Sequence, residues 1–204
     1  MEWCMRGLLM MAAVLVGLGG LCAVAQAKEQ RVALPVGTQS VIVTLPDGWV
    51  HGDHRMVEGA MTVRLESPQK RVVMLLTMLL FPEPAPGMDV LEVVREMNLV
   101  NASQSVEKIC VPVALKRTAG VGGYCAFTDA ALVSVAAVPK GQYKYVTSGM
   151  IIDQGVVANF TLLSNDNLDP ANAQAVQMMT VAEVTPPKPK PETPEQVPAA
   201  ATTL

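Results

Sequence analysis

The sequence predicts a single α+β domain, a mainly antiparallel twisted sheet flanked by two helices, and three observations carry that reading. Met61, Val63 and Leu65 alternate with Thr62, Arg64 and Glu66, the period of a strand with one buried face. Val72 to Phe81 is apolar at nearly every position and is bounded by charge and proline, which reads as a central strand covered on both sides. Helix starts follow Asp89 and Asp169, while several further strand-like runs lie between them. Strands in series with a few helices, rather than strict alternation of the two, is the α+β pattern.

Taken in order, residues 31–45 carry Val/Ile-rich runs broken at Pro35-Val36-Gly37 and ended by Pro46-Asp47-Gly48, so they predict one or two strands and a turn. After the apolar strand, Pro82, Pro84 and Pro86 stop the sheet. Asp89 then caps a helix, with Glu92 placed to complete a capping box. Val90, Val93, Val94 and Met97 recur at helical spacing with Glu92, Arg95 and Glu96 opposite, and this helix is expected to end by Asn101. Ile109, Val111, Val113 and Leu115 alternate again, with Pro112 pointing to an edge strand. Further strands are expected at 122–128, 131–138, 143–152 and 156–163, the last two joined by a hairpin at Asp153-Gln154-Gly155. Asp169-Pro170 opens a final helix to about Ala182, a cap followed by proline in the first turn.

The ends of the chain are of a different kind. Arg6 is followed by an uncharged apolar run, Gly7 to Ala25, ending in Ala25-Gln26-Ala27. That is the layout of a cleaved secretory signal peptide. A retained anchor is the competing reading, since about 20 apolar residues span a bilayer. Met5 is an alternative start that removes Glu2. Lipidation at Cys22 is disfavoured because Leu21 is not small. Residues 185–204 hold Pro186, Pro187, Pro189, Pro191, Pro194 and Pro198 without apolar period, a composition expected to stay extended and disordered. The organisation read is signal segment 1–27, domain 28–184 and Pro-rich tail 185–204.

Net charge is −3 and basic residues never exceed two in a row, which excludes the electrostatic footprint of a nucleic-acid binder. The pairs Lys70-Arg71 and Lys116-Arg117 read as solvated strand ends. Past the signal segment two cysteines remain, Cys110 and Cys125. In an oxidising compartment they favour one structural disulfide, and hairpin geometry supports it: the two face each other if the turn centres near 117 and 118. A redox pair needs Cys-x-x-Cys at a helix start, which is absent; two free buried thiols are the other alternative.

The order of elements carries a resemblance. A strand ends in Thr44-Leu45-Pro46-Asp47-Gly48-Trp49; a long central strand, a helix after a Pro-rich turn, a run of antiparallel strands and a C-terminal helix follow. Over residues 31–183 this resembles the α/β/α sandwich group of photosystem II protein PsbP, the Ran-binding Mog-type proteins and the bacterial envelope protein DcrB. The resemblance implies an accessory or binding module and transfers no functional residue, because fold alone does not give function.

Candidate chemistry is sparse. His51, Asp53 and His54, with Glu58 near in sequence, are the candidate zinc or copper ligands, since imidazole and carboxylate suit those ions; a polar turn between strands explains the same residues. Met74, Met78, Met178 and Met179 offer thioethers for copper(I) but read as core filling. No Gly-x-Ser-x-Gly elbow exists for a nucleophilic serine, and Ser148-Gly149 falls in a strand pattern. Glu92 and Glu96 lie on the solvent face of a helix. Asn101-Ala102-Ser103 and Asn159-Phe160-Thr161 match the glycosylation pattern, which arises often by chance. The expectation is therefore an exported, periplasmic or secreted, non-catalytic accessory or binding protein. It needs no cofactor and no nucleic acid, its partner is another envelope protein or a small ligand, and membrane contact comes only through an uncleaved signal segment. The alternatives are a metal-binding envelope protein and a hydrolase with an unrecognised site.

Overall fold

The computed structural model describes residues 29–81 and 87–186, the Asp53 side chain excepted. The expected signal segment, the prolines at 82, 84 and 86 and the tail from residue 187 lie outside the described residues. In chain order the strands are β1 (Gln30–Val36), β2 (Gln39–Leu45), β3 (Val50–Val57), β4 (Ala60–Glu66) and β5 (Val72–Leu80). Helices α1 (Val90–Met97) and α2 (Leu99–Gln104) follow. Then come β6 (Val113–Ala114), β7 (Val121–Thr128), β8 (Tyr145–Asp153), β9 (Val156–Ser164), α3 (Pro170–Val181) and β10 (Glu183–Val184).

The strands form two sheets rather than the one expected. A small sheet has the order β1-β2-β10 and a seven-stranded sheet the order β3-β4-β5-β9-β8-β7-β6. Every pairing is antiparallel. The large sheet is the middle layer. On one face Met61, Val63 and Leu65, Met74, Leu76 and Met78, and Phe160 and Leu162 pack against Val41, Val43 and Leu45 of β2 and Ala175, Met178 and Met179 of α3. On the other, Cys125, Phe127, Met150, Ile152 and Val157 pack against Val90, Val94 and Ala102. The four methionines at 74, 78, 178 and 179 are buried, which is core filling. Burying each such side chain contributes about 1.5–3 kcal/mol over leaving it exposed.

Local chemistry sets the turns. Trp49 N–H donates to the Pro46 carbonyl at 3.1 Å, closing a turn whose third residue, Gly48, has φ +75°, a conformation that favours glycine. Trp49 is thereby buried, and its indole N–H donates to Gln174 Oε1 at 3.0 Å, tying β3 to α3. Gln154 and Gly155, with φ +46° and +76°, join β8 and β9 in the two-residue turn that matches strand twist. Gly149 lies opposite Phe160; a Cβ there would overlap the Phe160 ring and the Gly123 carbonyl, so the missing side chain makes room for the aromatic one.

Four expectations are corrected. The first is the helix count: α1 ends at Met97, inside the expected limit of Asn101, but is followed by a helix that was not expected. The break falls at the fully buried Asn98, whose Nδ2 donates to the Val94 carbonyl at 2.9 Å, and a third helix, α2, continues to Gln104. Met97, expected on the apolar face, is exposed. Asp89 does cap α1, accepting from Leu91 N–H at 2.9 Å, but Glu92 pairs with Arg95 instead of completing a box.

Residues 131–138 form turns, not a strand. Asp129 Oδ1 accepts from the N–H groups of Ala131 and Leu132 at 2.8 and 3.1 Å, and its carbonyl accepts from Leu132 and Val133. Backbone groups satisfied this way are withdrawn from a ladder.

Arg117 is no solvated strand end. Lys116 is exposed, but the Arg117 side chain is 2% exposed. Its Nη2 donates to the Ala182 carbonyl at 2.8 Å and its Nη1 to the carbonyls of Met179 and Thr180, where the helix dipole favours a cation. Burial pulls its pKa below the usual guanidinium range and Asp153 pulls it back.

The fourth correction concerns the run 109–115, of which only Val113–Ala114 forms a strand.

Candidate functional site

The segment from Ser105 to Ala114 lies along the outer edge of β7. Ser105 pairs with Asp129 and Val113 with Tyr124. Eight steps on one side therefore face five on the other, and the excess bulges outward. Lys108, at φ +59°, turns the chain, and Pro112 offers no N–H to a ladder. That is why the alternating run is not a regular strand.

Three attachments hold the bulge. The Val106 N–H donates to the Thr128 carbonyl at 2.8 Å. The Glu107 carboxylate takes the place of a strand, accepting from Thr128 N–H at 2.9 Å and from Thr128 Oγ1 at 2.8 Å. Burial works to raise the Glu107 pKa, but these two hydrogen bonds, with further ones from its own backbone N–H and the Ser105 side chain, together hold the carboxyl below its usual range. The third attachment is the disulfide Cys110–Cys125, with 5.6 Å between Cα atoms. The β6–β7 ladder pairs 113 with 124, so the turn centres one residue later than the sequence argument assumed. The bulge makes up the difference and returns Cys110 to a position opposite Cys125.

With Cys110 buried, its neighbours in alternate positions point the other way. Ile109, Val111 and Val113 are 61%, 67% and 47% exposed. The expectation that this alternating run buries its apolar side holds at Leu115, which is buried, and fails at Ile109, Val111 and Val113, which are exposed while Cys110 is buried. The opposite edge of the sheet differs. There β3 also exposes Val50, Met56 and Val57. However, it carries a one-residue bulge between His51 and His54 and exposes His54, Arg55 and, in the following turn, Glu58, the devices that discourage edge-to-edge association.

The bulge decides where the histidines lie. His51 pairs with Leu65 and His54 with Val63, so both exposed imidazoles stand on one side of β3, where a regular strand would split residues three apart. Glu58 is not brought to them; it occupies the β3–β4 turn at φ +49°, about 13 Å farther along the strand. Among the described residues no three His, Cys, Asp or Glu side chains gather as a ligand set. Ser148 sits in β8, four strand spacings or about 19 Å from β3, out of reach of either histidine as a base. Glu107 went unnoticed in the sequence because a lone carboxylate that substitutes for a strand has no pattern.

Among the described residues no helix is long and apolar enough to cross a membrane. No family model matches the chain and no curated protein matches it. Among solved structures, the solution structure of cyanobacterial PsbP (CyanoP) from Synechocystis sp. PCC 6803 is similar, with 12% identity, 82% of this chain and 99% of that chain covered, and a TM-score of 0.48.

Proposed function

We propose that this chain is an exported, non-catalytic binding protein that docks another envelope protein through the disulfide-tethered edge beside β7. The row Ile109, Val111 and Val113 carries the reading. It exposes three aliphatic side chains on a segment tied to β7 by a disulfide, a carboxylate and a short ladder. An aliphatic row with exposed Glu107 and Lys108 next to it in the chain has the make-up of an interface core with a polar rim. Tethering lowers the ordering cost of binding. The disulfide and the apolar segment ending at Ala27 both support a location outside the cytosol.

Co-purification tests the proposal. Tagged full-length protein recovered from its native envelope is expected to bring down one dominant protein. Val111→Lys is expected to reduce that recovery about tenfold, the effect of losing about 1.4 kcal/mol, while leaving the thermal midpoint unchanged. Equal recovery by the parent and the variant would refute docking at this edge.

A further inference from the structure

A groove lies on the sheet face that carries α3, over β7 and β8 where neither α3 nor the small sheet reaches. Its floor is built from two cross-strand rows. Ala126, Thr147 and Leu162 form one cross-strand row, and Thr128 and Tyr145 lie opposite each other two residues along. Asn172, in the first turn of α3, Asn167 and Glu107 also line it. The groove measures about 280 Å³.

The lining selects a ligand class. It contains no lysine, arginine or histidine, so nothing in it balances a phosphate or carboxylate. Its one carboxylate, Glu107, already accepts two hydrogen bonds from Thr128, which lessens its pull on a free cation. What remains is uncharged: the hydroxyls of Tyr145 and Thr147, the Asn167 amide and the Oδ1 of Asn172, whose Nδ2 already donates to the Asp166 carbonyl at 2.7 Å, set around an aromatic ring and the largely buried Leu162. Groups of this kind both donate and accept, and an aromatic ring offers a flat apolar surface beside a polar tip. A ligand that matches them presents many neutral hydroxyls on one side and C–H groups on another. The volume, just below the range of ~300 Å³ and upward for ligand pockets, admits a ligand on the scale of a sugar ring.

We propose that this groove binds a neutral saccharide. It is separate from the docking edge in chemistry, though Glu107 belongs to both. The test is two-dimensional NMR of the purified full chain titrated with maltotriose, cellotriose and chitotriose, and separately with glucose 6-phosphate and spermidine as charged probes. At least one neutral trisaccharide is expected to shift the amides of Ala126, Tyr145 and Thr147, with a millimolar or tighter Kd. Tyr145→Ala is expected to weaken that binding about tenfold, and Thr147→Ala to weaken it as well, so that a folding defect in one variant leaves the other informative. Groove shifts from a charged probe alone, or no groove shift from any trisaccharide, would overturn the proposal.

Discussion

Replacing Arg117 by alanine is expected to cost about 3–5 kcal/mol of stability, the range for breaking a buried ion pair by removing one partner. The guanidinium and the Asp153 carboxylate are 2% and 7% exposed, with Nη2 and Oδ2 3.7 Å apart. The same guanidinium donates to three carbonyls at the end of α3 and, through Nε, to the Ala119 carbonyl at 3.1 Å. Alanine would leave the Asp153 carboxyl without its partner in the interior, and would strip the helix terminus of its cap. Since α3 and the adjoining β10 close one face of the core, the loss acts on the whole domain rather than on a loop. Urea unfolding at neutral pH measures it. Arg117→Lys should fall between the two proteins, because an ammonium restores the charge but not the planar fork that reaches several acceptors at once. A loss below about 1 kcal/mol, the ordinary effect of a surface change, would show that Arg117 is not the anchor described.

Replacing both cysteines, Cys110→Ser with Cys125→Ser, is expected to cost about 3 kcal/mol, the chain-entropy value for a loop of this length, here a separation of 15 residues. The effect should be local as well as global. Without the covalent tie, the bulge between Ser105 and Val113 depends on the Glu107–Thr128 pair and the short β6 ladder, so its amides should exchange with solvent much faster. Hydrogen exchange read by mass spectrometry, with unfolding measured alongside, separates the two effects. Unchanged protection across 106–112 would mean that the disulfide does not order this edge.

How much of this was legible in the sequence depended on whether the signal was local. The apolar run at 72–80 announced a central strand because only a strand covered on both faces tolerates it. Asp169-Pro170 announced α3 because capping and a missing N–H are needs of the first turn alone; Asp169 Oδ1 accepts from Ala171 N–H at 2.9 Å. The Cys110–Cys125 pairing was legible through hairpin symmetry, although the bulge that realises it was not. The misreadings share a cause. Alternation at 109–113 says that two sides differ, not which one meets the core, and a disulfide reversed the usual choice. Apolar residues at 131–138 had the composition of a strand, but Asp129 claimed the backbone for a turn. Nothing in Lys116-Arg117 distinguishes a solvated arginine from one that closes a helix 60 residues later. The separation of β1, β2 and β10 into a second sheet depends on partners distant in sequence and leaves no mark on the strands themselves. For the candidate site, the histidine pair was visible but its shared side of β3 followed from a bulge, and the proposed docking edge was visible only as an alternating edge strand.

The measurement closest to the central claim is photo-crosslinking in cells from single positions along the edge. A photoreactive residue placed in turn at 109, 111 and 113 is expected to give one common adduct of the same mass, while positions 56 and 57 on the guarded β3 edge give none. Adducts from 56 and 57 without any from 109, 111 and 113, or no adduct from any of the five, would contradict a docking surface on the disulfide-tethered edge.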